Sequence, residues 1–194
     1  MSVAPLIRWG AAVAGAVPGL WLLWQWHIGA LGVIPDTALL HWSGRFALLL
    51  LMGTLGIGFA HFVTGWGVLF AARRPLGVWT FTYALAHAVV WAVYDQAAVP
   101  AFMIEEAARM AHVQLGIGAL LLMTPLALTS VDAAQHAMTL PRWRLLHLLV
   151  WPAAALAVAH AWVVSRFDSL LVQGLAAALA LLAVARLVAL WRAR

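Results

Sequence analysis

The segment Leu145–Val164 reads LLHLLVWPAAALAVAHAWVV, and it decides the class of this protein. Its 20 residues include no Asp, Glu, Lys or Arg, and about 20 apolar residues form a helix that crosses the hydrocarbon core of a bilayer. His147 and His160 lie within the segment. Because an ionisable side chain at membrane depth is costly, the segment predicts a transmembrane helix whose histidines have a function.

The composition of the whole chain agrees with this segment. Of the 194 residues, 66% are hydrophobic and only 9% are charged, whereas a soluble domain has roughly 25% charged residues. Cysteine is absent, which excludes disulfides, thiolate metal sites, Fe–S clusters and covalently attached c-type heme. Any redox chemistry must therefore use histidine or a non-covalent cofactor.

Apolar segments separated by turn-rich or charged stretches account for most of the sequence. The six segments are Ala11–Trp26, Phe46–Phe70, Val78–Tyr94, Leu115–Leu128, Leu145–Val164 and Leu170–Leu190. We therefore predict an all-α membrane bundle of six transmembrane helices that forms a single domain over residues 1–194. The intervening stretches, predicted to be loops, are His27–Gly44, Ala71–Pro75, Asp95–Ala111, Ser130–Arg144 and Ser165–Asp168.

Arginine supplies every basic side chain apart from histidine, and the formal net charge is +5. The arginines lie at the ends of apolar runs, which indicates topology signals and membrane lipid rather than a nucleic-acid partner. An even number of spans puts both termini on one side, and the positive-inside rule makes that side the cytoplasm. The inner set is then Arg8, Arg73, Arg74, Arg142, Arg144, Arg186, Arg192 and Arg194, and the outer set is Arg45, Arg109 and Arg166.

Four histidines, His61, His87, His147 and His160, lie within the apolar runs. A single buried histidine is usually satisfied by a neighbouring helix. Four of them in one small bundle instead favour metal or heme ligation, because neutral imidazole is a good axial ligand for heme iron. These four residues are our candidate iron ligands.

The spacing of the histidines suggests how they pair. His147 and His160 are 13 residues apart, a rise of about 19–20 Å, which suits two stacked hemes. Their side chains would point about 140° apart on a straight helix, and Pro152 could kink the helix to bring both inward. His87 and His160 lie at similar depth and form a natural bis-histidine pair. His61 is closest in depth to His147, and inner-heme ligation and a hydrogen bond near the interface are equally open for it.

At several positions the chain resembles the MsrQ or YedZ family, the heme-binding membrane subunits of the periplasmic methionine-sulfoxide reductase system. That family is part of the ferric-reductase-like transmembrane group, which includes the NADPH oxidases. His87, His147 and His160 match the family's histidine positions residue by residue. The matching stretches are Pro18–Trp24 (PGLWLLW), His41–Arg45 (HWSGR), Arg73–Trp79 (RRPLGVW), Tyr83–His87 (YALAH), Leu115–Ser130 (ending PLALTS), Arg142–His147 (RWRLLH) and Ala159–Trp162 (AHAW).

The resemblance implies a function in the bacterial inner membrane. It implies an electron-transfer subunit, not the catalytic one, with one or two b-type hemes. Electrons would come from the quinone pool or a cytoplasmic flavin reductase and pass to a periplasmic molybdopterin-containing methionine-sulfoxide reductase. FMN is implied by the resemblance alone. The chain is too short to add the cytoplasmic FAD/NADPH domain of the oxidases, so we expect a separate donor.

Other residues receive expectations of their own. His61 and His112 stand where the family has different residues, so the resemblance gives them no role. We expect Arg45 and Arg74 to pair with heme propionates, although topology alone explains Arg74. The glutamates of the longest outer stretch, Glu105 and Glu106, are a candidate docking surface. For five helical glycines we weigh close approach of a macrocycle against helix packing. They are Gly53, Gly56, Gly58, Gly116 and Gly118.

Two other functions fit part of the pattern. A quinol-linked cytochrome b or a transmembrane metalloreductase would use the same histidines with a different electron acceptor. A small transporter would use them to relay protons. No acidic residue lies within the six predicted spans, which argues against the proton relay.

Overall fold

The computed structural model describes residues 3–166 and 168–192, and within these ranges the chain is all α-helical with no β-strand. Arg194, which we assigned to the inner set, lies outside the described residues. Six helical stretches are long and apolar enough to cross a membrane, so the predicted multi-pass bundle is confirmed. They are Ala4–His27, Pro35–Thr64, Gly67–Asp95, Ala111–Leu128, Leu140–Val164 and Leu170–Trp191.

The elements are labelled in chain order. The spans contain α1 (Ala4–His27), α2 (Pro35–Thr64), α3 (Phe70–Val90), α5 (Ala111–Leu128), α7 (Leu140–Leu146), α8 (Val150–Val164) and α9 (Leu170–Arg192). Two short helices, α4 (Pro100–Arg109) and α6 (Asp132–Ala137), lie in the connections. A π-helical turn, Trp91–Asp95, extends α3.

The predicted outer loop His27–Gly44 is wrong over most of its length, because α2 begins at Pro35. Proline fits the first turn of a helix, where the missing N–H has no intrahelical partner to lose. The polar residues after it, including His41 and Ser43, are therefore helical. Ser43 satisfies its hydroxyl by donating to the Leu39 carbonyl at 2.7 Å.

The predicted inner loop Ala71–Pro75 is also wrong, because these residues are helical. The chain turns earlier, at Gly65, whose φ of +72° in the left-handed region ends α2. A 3₁₀ turn, Gly67–Leu69, then leads into α3. Arg73 and Arg74 remain in the helix because long arginine side chains reach polar surroundings without breaking the backbone.

The fifth span, Leu140–Val164, is interrupted at His147. α7 ends at Leu146, His147–Leu149 form a 3₁₀ turn, and α8 begins at Val150. Pro152 has no N–H to donate to the Leu148 carbonyl, which favours this break. Each of these three residues turns the chain about the helix axis by about 120°, instead of the 100° of an α-helix. The angle between the directions of the His147 and His160 side chains therefore falls from about 140° to about 80°.

The core of the bundle lies around α8. Ala153 and Ala154 have no exposed surface, and they separate two buried clusters. Ala154 packs with Leu51, Met52 and Leu55 of α2, whereas Ala153 packs with Ala119 and Met123 of α5. Large side chains elsewhere are exposed, such as Leu6 and Leu121, as expected of a surface that faces lipid.

Tyr83 of α3 joins α1 to the bundle. Its hydroxyl accepts a hydrogen bond from the Gly19 N–H and donates one to the Gly15 carbonyl, both at 2.7 Å. These two backbone groups would bond each other in an uninterrupted helix. Pro18 lies between them and loosens α1 at this point, so the tyrosine hydroxyl is inserted into the helix.

Candidate functional site

His87 of α3 and His160 of α8 face each other in the half of the bundle away from the Gly65 turn. Their ring centroids are 5.9 Å apart and the ring planes are nearly perpendicular, at 81°. Two imidazoles on opposite sides of one metal, each at about 2.0–2.1 Å, would have centroids roughly 6 Å apart. The pair predicted from helix depth is therefore brought together at a separation that one iron would require.

A backbone carbonyl fixes the orientation of each ring. His87 Nδ1 lies 2.9 Å from the Leu40 oxygen of α2, and His160 Nδ1 lies 2.7 Å from the His112 oxygen of α5. Because a carbonyl only accepts, Nδ1 of each ring donates and carries the proton. Nε2 then keeps its lone pair, which is the arrangement found in metal-ligating histidines.

This pair supplies two ligands, which suits the axial positions of a heme iron better than a bare metal ion. Among residues 3–166 and 168–192, no three His, Cys, Asp or Glu side chains converge as a metal-ion site. Heme iron takes four ligands from the porphyrin and needs only two from the protein. Trp91, one turn beyond His87, has a buried indole Nε1–H without a partner in the described part of the chain. It is a donor available to a bound group.

The other two candidate histidines, His61 and His147, line a cavity of about 1260 Å³ at the opposite end of the bundle. Pockets for drug-sized ligands are about 300–1000 Å³, so this one is large enough for a cofactor. Four guanidinium groups give its wall positive charge. They belong to Arg73, Arg74, Arg144 and Arg186.

The structure orients His61 and His147 differently from His87 and His160, which we call the outer pair after their predicted side of the membrane. The His147 ring stacks on Trp143 with centroids 3.9 Å apart, and its Nδ1 lies 3.0 Å from the Trp143 carbonyl oxygen one turn earlier. His61 packs against Phe70 at 4.6 Å, and its Nδ1 is buried without a described partner. Within the described residues the two imidazoles share the cavity but make no ring contact with each other.

The arginines predicted to contact propionates have different surroundings. Arg74 donates to the carboxylate of Asp132, which lies on α6. This hydrogen bond, with the charge of the guanidinium, holds the pKa of Asp132 below its usual value. Arg45 lies one residue after Gly44, is exposed, and stacks over the Trp42 ring at 5.3 Å. Arg45 therefore lies on α2, five residues after Leu40, whose carbonyl bonds the His87 ring.

The outer connection is more ordered than a solvated loop. Gln96, only 8% exposed, donates to the Glu106 carboxylate, and Glu105 pairs with Arg109 at 3.2 Å within α4. His112, to which the resemblance gives no role, has its ring 6.1 Å from that of His160. Glu106 thus has a structural partner, whereas Glu105 makes only a surface pair.

Sequence reasoning missed several residues around the outer pair. Any residue can offer a carbonyl, so nothing in the identities of Leu40 and His112 indicates their role as acceptors. The Trp91 indole was missed because tryptophan near a helix end is normal in a membrane protein. Gly44 was missed as well, since it lies in a stretch predicted to be a loop. Its spacing of 43 residues before His87 nearly repeats that of Gly116 before His160.

Comparison with known proteins agrees with this architecture. The family model described as "Ferric reductase like transmembrane component" matches residues 39–158. The match contains α3 with His87 and the turn with His147, and it ends two residues before His160.

Curated relatives carry a more specific name. Proteins of Xanthomonas axonopodis pv. citri and Xanthomonas oryzae pv. oryzae are 34% and 33% identical over 148 residues, which is 76% of this chain and 67% of theirs. A protein of Ralstonia nicotianae is 35% identical over 120 residues, 62% of this chain and 55% of its own length. All three are named protein-methionine-sulfoxide reductase heme-binding subunit MsrQ. The chain thus spans between about half and two thirds of these relatives, and it belongs to the MsrQ/YedZ family of ferric-reductase-like transmembrane proteins.

Proposed function

We propose that this chain is a membrane electron-transfer subunit that holds a b-type heme between His87 and His160. The observation that carries the proposal is the pair of rings 5.9 Å apart, each with Nδ1 bonded to a backbone carbonyl. The curated relatives are named as heme-binding subunits, which supports the same cofactor. The heme would supply one-electron redox chemistry inside the bilayer.

Each residue of the outer site has a specific task in this proposal. The Nε2 atoms of His87 and His160 would bind the iron, while the Leu40 and His112 carbonyls keep the rings in one tautomer. The unpartnered Trp91 indole N–H would be available to donate to a polar group of the heme. Burying that N–H without a partner costs about 1–3 kcal/mol, so a bound acceptor is favoured there.

We further propose an inner heme in the cavity that His61 and His147 line. Its cationic wall suits propionate groups, for which Arg73 and Arg74 are the nearest candidates on α3. The buried, unpartnered Nδ1 of His61 supports a task for that ring beyond packing. The alternative is a single heme, with His147 as a hydrogen-bonding residue. FMN, implied only by family resemblance, would place its phosphate against the same arginines.

The arginine-rich end is proposed to face the cytoplasm, with both termini on that side of the bacterial inner membrane. The charges support this orientation, since Arg73, Arg74, Arg144 and Arg186 line one cavity. A quinone or a cytoplasmic flavin reductase would donate electrons at that end. The acceptor at the opposite end would be a periplasmic molybdopterin-containing methionine-sulfoxide reductase, and the chain would act as a single domain. A quinol-linked cytochrome b or metalloreductase with another acceptor is the alternative.

Heme per chain, measured by pyridine hemochrome on the purified protein, tests this proposal. We expect two b-type hemes in the wild type. His61→Ala should remove one heme, or keep the count and turn that heme high-spin in the visible spectrum recorded before pyridine is added, because the inner iron loses a ligand. The control is His136→Ala, an exposed histidine of α6. A colourless wild type would contradict the function and favour a transporter, whereas an unchanged His61→Ala variant would contradict only the inner heme.

A further inference from the structure

The two histidines of the outer pair lie on the same kind of backbone feature. On α2, a Cβ added to Gly44 would lie 3.0 Å from His87 Nδ1, and the Leu40 carbonyl that accepts from this ring is one helical turn before Gly44. Such a distance is too short for an undisturbed contact. The absence of a side chain at Gly44 therefore allows the imidazole to reach the carbonyl.

α5 repeats this feature for the second histidine. A Cβ on Gly116 would lie 3.1 Å from His160 Nδ1, and the acceptor is the carbonyl of His112, again four residues before the glycine. We call each arrangement a histidine seat: a glycine, the carbonyl four residues before it, and a histidine from the neighbouring helix. The seats lie on two helices, α2 and α5, which hold the rings of α3 and α8.

Among the histidines of the described spans, only the outer pair lies on such seats, although Tyr83 uses a similar arrangement with Gly19 and the Gly15 carbonyl on α1. Gly53 and Gly56, farther along α2, have nothing within 4 Å of an added Cβ, and on Gly118 the Cβ would meet the Leu156 side chain at 3.2 Å. His147 bonds the Trp143 carbonyl of its own helical segment and uses no neighbouring helix. Helix packing alone does not explain why two glycines each lie under an imidazole nitrogen.

We propose that Gly44 and Gly116 are positioning residues that set the redox potential of the outer heme. The inference rests on the proposed heme between His87 and His160. A bond from Nδ1–H to a carbonyl makes the imidazole a stronger donor through Nε2, which stabilises ferric iron and lowers the potential. A side chain on either glycine displaces the ring from its carbonyl and raises the potential. The seats also hold the ring planes near 81°.

Redox titration of the purified, heme-loaded protein tests the seats with matched variants. Gly44→Ala and Gly116→Ala should each raise the midpoint potential of the outer heme and change its ferric EPR g-values. Gly53→Ala and Gly56→Ala, where an added Cβ meets nothing within 4 Å, are the controls and should leave both unchanged. Loss of the heme from the seat variants alone also supports the proposal. Seat variants that keep the heme with the controls' potential and g-values would overturn it.

A second measurement uses the wild-type protein, so it does not require any variant to fold. Electron–nuclear double resonance of the outer ferric heme should show an Nδ1 proton on both axial imidazoles. Because each proton is bonded to a carbonyl between packed helices, both signals should persist after transfer to D₂O. Immediate loss of either signal would overturn the seats. A wild type without heme would instead contradict the proposed function.

Discussion

At the residue scale, the outer pair depends on atoms that would not touch a bound iron. The Leu40 and His112 carbonyls accept hydrogen bonds from the Nδ1–H groups of His87 and His160. Both Nε2 atoms therefore keep a lone pair and remain acceptors. The inner His147 satisfies its Nδ1 within its own segment, and His61 leaves its Nδ1 unpaired in the described structure. The histidine rings at one end of the bundle are therefore held more firmly than those at the other end, and the outer pair is the better organised of the two proposed iron sites.

The ion pair between Arg74 and Asp132 makes a pH-dependent prediction at this scale. The hydrogen bond and charge of Arg74 lower the pKa of Asp132 below its usual 3.8. A carboxyl with a lowered pKa stabilises the fold above its ordinary pKa, and that stabilisation is lost as the pH falls through the lower, folded value. Asp132→Asn should therefore unfold at a slightly lower temperature than the wild type at pH 7, with the gap closing toward pH 3.

Thermal unfolding in detergent between pH 7 and pH 3 measures this gap. The effect should be small because Asp132 is largely exposed, with 66% of its side-chain surface accessible. Asp168→Asn is a suitable control, since the Asp168 carboxylate forms no ion pair in the described ranges. A gap between wild type and Asp132→Asn that stays constant with pH would show that the pair contributes nothing to stability.

The sequence identified some of these residues and not others, for a physical reason. His87 and His160 stand out because imidazoles within apolar runs are rare and costly, and counting helical rise from the arginines gives their depth. The carbonyl acceptors of these two rings cannot be identified from the sequence, because every residue has a backbone carbonyl. The partner of Arg74 was missed because contact with Asp132 depends on how the chain folds back between α5 and α7.

At the element scale, two interrupted helices position the site. The 3₁₀ turn His147–Leu149 rotates the first part of the fifth span about its axis. His147 and His160 therefore point in more similar directions than they would on a straight helix. In α1, the hydroxyl of Tyr83 occupies the gap between the Gly15 carbonyl and the Gly19 N–H. Because Tyr83 lies one turn before His87 on α3, the same contact anchors α3 against α1.

Tyr83→Phe tests that anchor. Tyr83 is only 5% exposed, and the change removes a donor and an acceptor from α1 while leaving the ring. We expect a loss of about 1–2 kcal/mol in the free energy of unfolding, measured by titration from mild detergent into SDS. Tyr94→Phe is the control, because the chain's other tyrosine is exposed. Equal stability of the two variants would mean that α1 closes its own hydrogen bond when the hydroxyl is absent.

Element types were easier to predict than element ends. Long apolar runs with few charges have one stable form in lipid, a helix, so six spans follow from the sequence. The predicted helix boundaries were wrong near Pro35, where α2 begins, and at Ala71–Pro75, which is helical. Proline and arginine had been interpreted as loop residues at these two places. Proline fits a first turn, and an arginine side chain reaches polar surroundings from a helix that continues.

At the scale of the whole molecule, the two sites lie at opposite ends of one bundle. The arginine-lined cavity with His61 and His147 is at one end, and the pair of His87 and His160 is toward the other. An electron that enters at the cavity would cross the membrane by way of the two proposed hemes of a single chain. The short amphipathic helix α4 lies in the connection after α3 at the end that carries this pair, and it is our proposed contact for an acceptor.

Charge reversal on α4 tests where that acceptor binds. Glu105→Lys removes only a surface pair with Arg109, so it should slow oxidation of the reduced heme by a purified methionine-sulfoxide reductase catalytic subunit. Reduction of the heme should be unaffected, because electrons enter at the opposite end. The measurement is stopped-flow absorbance at the heme band. Glu106 is unsuitable, since it also accepts from Gln96.

Two comparisons complete the docking test. Asp36→Lys, at the start of α2 on the same end of the bundle, controls for general charge effects. An unchanged oxidation rate in Glu105→Lys would exclude α4 as the docking surface. A reduced heme that a ferric chelate oxidises readily but the reductase subunit does not would favour the metalloreductase alternative.

The most direct test of the account is the spectrum of the outer heme in single ligand variants. The purified wild type should show a low-spin, bis-histidine ferric EPR signal with large g anisotropy, because nearly perpendicular imidazole planes bring the iron dxz and dyz orbitals close in energy. His87→Ala and His160→Ala should each abolish that signal, while His27→Ala, an exposed residue at the end of α1, should keep it. If both ligand variants retained the full wild-type signal, His87 and His160 would not be the iron ligands.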